Sequence, residues 1–199
     1  AMFFQNLFSK AEVVDQEKIS DQAILSFEKN RFDSTLFLAL ANQYPEEENY
    51  KLFVENSLSL SMNIPIDLAT EVAILTNYAL FSKSSRKDAF FYTLETKGLA
   101  DQQLKIFPFL LMPLVKNAFY YGYNTLDKYP VRIRLHLRGK TLQLEVSNRV
   151  NHYIGSQAEN PEIRWYKARL QQHFPQGFNL LFNSNSNLFK ATLILDLIK

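Results

Sequence analysis

The sequence predicts an α+β protein in which an all-helical first half precedes a sheet that carries two helices on one face. Three observations support this. Apolar residues recur every three or four positions through the first half, the period of one helix face. Neither Gly nor Pro occurs over residues 12–44. From Val131 onward the period switches to two, as in a half-buried strand.

Taken in order, Ile19, Ala23 and Phe27, continued by Phe32, Leu36, Ala39 and Leu40, predict one long helix over residues 12–44. Pro45 and the run Glu46-Glu47-Glu48 mark a turn, and the carboxylates suit the start of a second helix over 47–62, where they offset its dipole. That helix would bury Leu52, Phe53 and Leu60. Two helices joined this way form a hairpin that needs a partner to cover both faces. Residues 63–67 break the pattern, with Asp67 as N-cap of a third helix over 68–86 whose inner stripe is Leu68, Val72, Leu75 and Ala79. Residues 89–96 read as a strand, and 107–122 as a helix.

This last stretch is the longest apolar run, interrupted by Lys116 and Asn117 together. A buried amide needs a partner. Either the polar pair faces water, or an Asn-bearing helix holds a metal–nucleotide complex. Beyond it, Val131, Ile133, Leu135 and Leu137 alternate with Arg132, Arg134, His136 and Arg138, and Leu142, Leu144 and Val146 follow the turn at Gly139-Lys140. That is a hairpin with one buried and one solvated face. A polar loop over 148–160, a helix over 162–173 and a second hairpin, 178–182 with 189–197, complete the chain.

Composition excludes several classes. The 199 residues are 47% hydrophobic with 17 Phe and 10 Tyr, enough to build a core and too apolar for disorder. No stretch reaches the roughly 18 apolar residues of a membrane span. Met2-Phe3-Phe4 has neither the charged region nor the cleavage site of a signal peptide, and Ala1 reads as an expression remnant before a native Met2. A cytoplasmic protein is therefore expected. There is no cysteine, hence no thiolate metal site and no Cys nucleophile. The 22 basic and 20 acidic residues are mixed along the chain, so no nucleic-acid partner is expected, and the Arg132–Arg138 row is a solvated strand face.

In order, these elements resemble the cytoplasmic part of sensor histidine kinases of the LytS/YehU type, whose ATPase domain belongs to the GHKL superfamily. The family helix opens Pro-x-x-x-Leu-Gln-Pro-Leu-Val-Glu-Asn-Ala-x-x-His-Gly. Pro108, Leu111, Pro113, Leu114, Val115, Asn117, Ala118 and Gly122 stand in that register. Leu68, Glu71, Val72, Leu75, Tyr78 and Arg86 match the family's upstream Leu-x-x-Glu pattern and its Arg, and Arg169-Leu170 and Phe174-Pro175 match its closing helix and turn. The resemblance covers residue 20 to the end. It implies a helical dimerisation hairpin (DHp-like) within residues 1–88, followed over 89–199 by a Bergerat/GHKL-type α/β sandwich.

It also implies a chemistry, which this chain departs from at three places. Autophosphorylation needs an imidazole on the first hairpin helix, but the three histidines are His136, His152 and His173, and Arg31 stands in the position of the missing phosphoacceptor. A guanidinium stays protonated and cannot attack phosphorus. Arg31 is then either a phosphate or carboxylate ligand or an ordinary solvated helix residue. In the family the Asn ligates magnesium and the preceding Glu serves as base. Here Asn117 is kept, Lys116 replaces the Glu and Tyr121 replaces the His before Gly122. The adenine-contacting segment keeps an amide, Asn148, and loses its glycine. The Gly-rich phosphate segment is replaced by Asn160-Pro161-Glu162-Ile163, leaving Gly155 isolated in the loop. Asn117, Lys116, Gly122 and Asn148 thus form a vestigial nucleotide set, with no metal unless through Asn117. The expected protein is a catalytically inactive histidine-kinase-like one that works by protein contact and needs no cofactor. The resemblance implies a homodimer through the N-terminal helices, and a response regulator or a genuine histidine kinase as partner. The alternative is a diverged ATP-binding kinase or ATPase that uses Asn117 with ATP and magnesium.

Overall fold

The computed structural model describes residues 2–31, 33, 36–37, 41, 48–86, 88–99, 103–153 and 157–197. Phe32, Ala39, Leu40, the turn at 45–47 and Gly155 lie outside them. Among the described residues the elements run α1 (Met2–Arg31), α2 (Glu48–Ser59), β1 (Ile66–Asp67), α3 (Leu68–Ser84), β2 (Tyr92–Lys97), β3 (Lys105–Ile106), α4 (Met112–Tyr121), β4 (Val131–Arg138), β5 (Thr141–Arg149), α5 (Pro161–His173), β6 (Phe178–Ser184) and β7 (Leu188–Asp196). The architecture is α+β, with a mixed five-stranded sheet in the order β2-β4-β5-β7-β6. Only the β2–β4 pair is parallel.

The period-two pattern sets the register. Leu135 faces Leu144 and Leu144 faces Leu193, so the apolar residues of β4, β5 and β7 share one face. Ile133, Leu135, Leu144 and Leu195 have no measurable exposure. α4 lies against this face at β4 and β5, and α5 lies against β6. Among the described residues no helix packs on the opposite face, which carries Arg132, Arg134, Glu145 and Lys190.

Four sequence expectations are corrected. The first helix is not 12–44: it spans Met2–Arg31. Asp33 ends it, because its carboxylate accepts the Leu36 N–H at 3.1 Å and its carbonyl accepts the Phe37 N–H at 2.9 Å, starting a separate helical turn. The strand expected over residues 89–96 spans Tyr92–Lys97. Helix α1 lies along α5, with Phe27 against Phe109 at 5.7 Å between ring centroids. Asp67 holds the N-cap position with extended backbone, but its side chain makes no cap bond. The Leu68 N–H goes to the Leu104 carbonyl at 2.9 Å, since Ile66–Asp67 pairs with Lys105–Ile106.

The fourth correction concerns the long apolar run. Helix α4 begins only at Met112, and residues 107–111 form a buried non-helical loop in which Phe109 has φ 57°. A non-glycine residue in that region is strained and needs surrounding support. Support comes from two buried ionisable side chains. The Glu71 carboxylate on α3 accepts the Phe109 and Leu111 N–H groups at 2.7 and 2.9 Å. The Arg169 guanidinium on α5 donates to the Pro108 and Phe109 carbonyls. The Tyr166 hydroxyl donates to the Leu110 carbonyl at 2.7 Å. One buried apolar cluster runs through all of this, from Phe27 and Phe53 through Leu75 and Phe109 to Leu170 and Leu193.

Candidate functional site

Helix α4 carries Lys116 and Asn117, which are 7% and 3% exposed. Its apolar residues seat it on the sheet, and Tyr78 and Arg86 hold it from behind. Tyr78 stacks on Phe119 at 6.1 Å, and Arg86 donates to the Phe119 carbonyl at 3.0 Å while its guanidinium lies 4.4 Å over the Phe90 ring. Burial pushes the Glu71 carboxyl up to about 7, against the pull of the Leu111 and Phe109 N–H groups and of Arg169. Burial likewise lowers Arg169 to about 10, with Glu71 opposing. Both side chains are engaged by the backbone of the 107–111 loop.

The polar pair does not face water, and each member is hydrogen-bonded inside the protein. The Lys116 ammonium donates to the Lys29 carbonyl at 2.8 Å and lies 3.4 Å from the Asp33 carboxylate, with both side chains under a tenth exposed. Asp33 also accepts the Tyr120 hydroxyl at 3.1 Å. Burial and the Asp33 carboxylate hold the Tyr120 phenol well above its ordinary value. Lys116 is therefore a latch that fixes the C-terminal end of α1 to α4.

Asn117 is closed in by amides. The Asn160 side-chain NH₂ donates to the Asn117 carbonyl oxygen at 2.8 Å, and the Asn117 NH₂ donates to the Gln157 main-chain carbonyl at 3.2 Å. Asn160 also donates to that same Gln157 carbonyl at 3.1 Å, and its own side-chain oxygen accepts the Ile163 N–H at 3.0 Å, capping α5. Asn148 donates to the Gln157 side-chain oxygen at 3.1 Å and to the Arg149 carbonyl at 2.9 Å. Gly122 makes room for this: a Cβ there would meet the Asn148 amide nitrogen at 2.5 Å and the Ala118 carbonyl at 2.5 Å.

The structure thus brings Asn117, Gly122 and Asn148 together, sets Lys116 beside them and leaves Arg31 apart. Arg31 pairs with Glu28 one turn back on α1 at 2.7 Å, the ordinary helix-surface reading. His136 lies on the far face of the sheet, 3.9 Å from Glu95, and His173 stacks on Phe107 at 4.0 Å. Asp33, Tyr120 and Gln157 were not singled out by the sequence. A signal existed for Asn160, since Asn followed by Pro at the first helical position is a helix-start signature.

A magnesium–nucleotide complex does not fit these residues. The amide oxygen that would ligate the metal accepts a 2.8 Å hydrogen bond from Asn160. The place of the base holds a cation already bound to Asp33. At the start of α5, Pro161 has no N–H and that of Ile163 is taken by Asn160. Among the described residues no group of three or more His, Cys, Asp or Glu is placed to hold a metal, and no helix is long and apolar enough to cross a membrane.

No protein-family model matches this sequence, and no curated protein matches it. Among solved structures, the chain aligns with the Acinetobacter baumannii histidine kinase AdeS at 12% identity and a TM-score of 0.49, covering 94% of this chain and 98% of that one. It aligns with the histidine kinase domain of the Erythrobacter litoralis EL346 blue-light activated histidine kinase at 12% identity and a TM-score of 0.48, covering 91% and 96%. The catalytic domain of the histidine kinase ThkA aligns at 13% identity and a TM-score of 0.48, over 67% of this chain and 94% of that one.

Proposed function

We propose that this chain is a LytS-like histidine kinase relative that has lost phosphoryl transfer and acts through protein contacts in two-component-type signalling. The observation that carries the reading is the closed amide cluster around Asn117, in which Asn160 takes the oxygen a metal would need. A pattern in the substitutions supports it. Positions that match the family motif, namely Glu71, Tyr78, Arg86 and Arg169, hold α4 and the loop before it. Positions that depart from it, Lys116 and 160–163, are those the chemistry would use, and each is bound into the fold. Scaffold contacts persist where the reaction's parts are replaced.

In this reading residues 1–88 descend from a dimerisation region and 89–199 from an ATPase domain. The partners are a second copy of the chain through the N-terminal helices, and a response regulator or a genuine histidine kinase. Ile24 and Leu25 on α1 and Leu58 on α2 are exposed apolar residues on that side. The test is incubation of the full chain with radiolabelled ATP and magnesium, alone and with candidate partner proteins. No covalent label and no released phosphate are expected. Magnesium-dependent hydrolysis or a phosphohistidine, lost in Asn117→Ala, overturns the proposal.

A further inference from the structure

The uncovered face of the sheet holds a cleft of about 710 Å³ at the start of β4, the end of β5 and the start of β7. That volume lies within the roughly 300–1,000 Å³ of small-ligand sites. Lys128, Arg132 and Arg149 line it, and none of them has a carboxylate within ion-pair distance among the described residues. Two of these cations are drawn onto one ring, the Arg149 guanidinium 4.8 Å and the Lys128 ammonium 5.6 Å from the centre of Tyr129. Quadrupole attraction of this kind fixes a cation in place without neutralising it. Ser147, facing Arg132 across the β4–β5 pair, adds a hydroxyl to the floor.

Arg134, Glu145 and Lys190 line the other end of the same cleft, and there the charges are answered. Arg134 lies 3.2 Å from Glu145 and 3.5 Å from Glu95, and Lys190 lies 3.2 Å from Glu145. A nucleic-acid backbone or a long acidic peptide would track the whole β4 row, which is interrupted at Arg134 by Glu95 and Glu145, whereas Lys128, Arg132 and Arg149 gather in the one cleft. Arginines present forked donors suited to phosphate oxygens. From this geometry we infer that the cleft binds a compact ligand carrying two or more phosphate groups, on the side of the sheet opposite α4.

Asn148 borders both this cleft and the amide cluster, so the test must separate the two places. The full chain is titrated calorimetrically with inorganic pyrophosphate and with ATP, in magnesium-free buffer of low ionic strength. Both are expected to bind. Arg132→Ala and Arg149→Ala should each weaken binding by about tenfold or more, Lys128→Glu should do the same, and Asn117→Ala should leave it unchanged. Arg132 and Lys128 are exposed, so their variants keep the fold, which circular dichroism checks. The inference is overturned if neither ligand binds, if the three cation variants bind as the wild type does, or if only Asn117→Ala abolishes binding. It is equally overturned if duplex DNA or a polyglutamate peptide binds more tightly than pyrophosphate.

Discussion

Lys116→Met separates the latch from any remaining role in phosphate chemistry. Methionine keeps the length and the apolar stem of the side chain, and removes the ammonium that lies 3.4 Å from Asp33 and 2.8 Å from the Lys29 carbonyl. Unit charges at that distance attract by about 5 kcal/mol at an effective dielectric near 20. Desolvation of both groups takes back part of this, since each side chain is under a tenth exposed. Stranding one partner of a buried pair costs roughly 3–5 kcal/mol. Asp33 keeps the Tyr120 hydroxyl and the Leu36 N–H, which brings the expected loss nearer to about 3 kcal/mol.

The assay is urea denaturation of wild type, Lys116→Met, Asp33→Asn and the double variant. A coupling energy of about 2 kcal/mol is expected from the cycle. A coupling below about 0.5 kcal/mol, as at a solvent-exposed pair, would refute the latch. So would a Lys116→Met protein at least as stable as wild type, the behaviour of a cation held ready for a phosphate.

Two further outcomes follow from the same contacts. Gly122→Ala forces the Asn148 side chain or the Ala118 carbonyl to move, because both lie 2.5 Å from the new Cβ, and should cost about 2 kcal/mol in a thermal or urea melt; a neutral result would show that the amide cluster is loose. Glu71 gives a pH dependence. Its carboxyl, raised by burial from 4.5 to about 7, stays protonated in the folded chain where the unfolded chain ionises, so its contribution is fully present below pH 4.5 and is lost as pH rises through 7. The wild-type stability minus that of Glu71→Gln should therefore fall by about 3 kcal/mol across that window. His173, held down at about 4 by burial and Arg169, contributes with the opposite sign, its share being lost as pH falls through 4. Subtracting Glu71→Gln removes that second slope, and a flat difference would show that Glu71 is ionised in the fold.

Local pattern sufficed where local forces decide. The alternation from Val131 to Val146 marks the buried face of β4 and β5, because a strand's side chains alternate whatever it pairs with. The run from Phe107 to Val115 misled for the opposite reason. It is apolar throughout, so it has no period, and its first residues are shaped by a carboxylate 38 positions upstream and a guanidinium 60 positions downstream. The end of α1 turned on Asp33, whose side chain competes for a main-chain N–H. In the candidate site, Lys116 and residues 160–163 were legible as departures from the motif the sequence resembles. Their partners were not legible, since Lys116–Asp33 and Asn160–Asn117 join residues 83 and 43 apart.

The two anion questions raised by this molecule have opposite electrostatic answers, and that changes what a nucleotide-binding result means. Around Asn117 the groups that would meet a phosphate or a metal are bound to protein partners, and opening the cluster forfeits the hydrogen bonds of Asn160, Asn117 and Asn148 together. Such networks lose more than one bond at a time when one member is displaced. On the outer face, Lys128, Arg132 and Arg149 are held without an anion, and binding one there breaks no ion pair. ATP that binds this chain is thus no evidence that Asn117 takes part in holding it. The decisive comparison is between Asn117→Ala and Arg132→Ala on the same ligand. Loss only in the first supports the reading in which Asn117 binds the nucleotide, and loss only in the second places the phosphate-bearing ligand on the sheet face opposite α4.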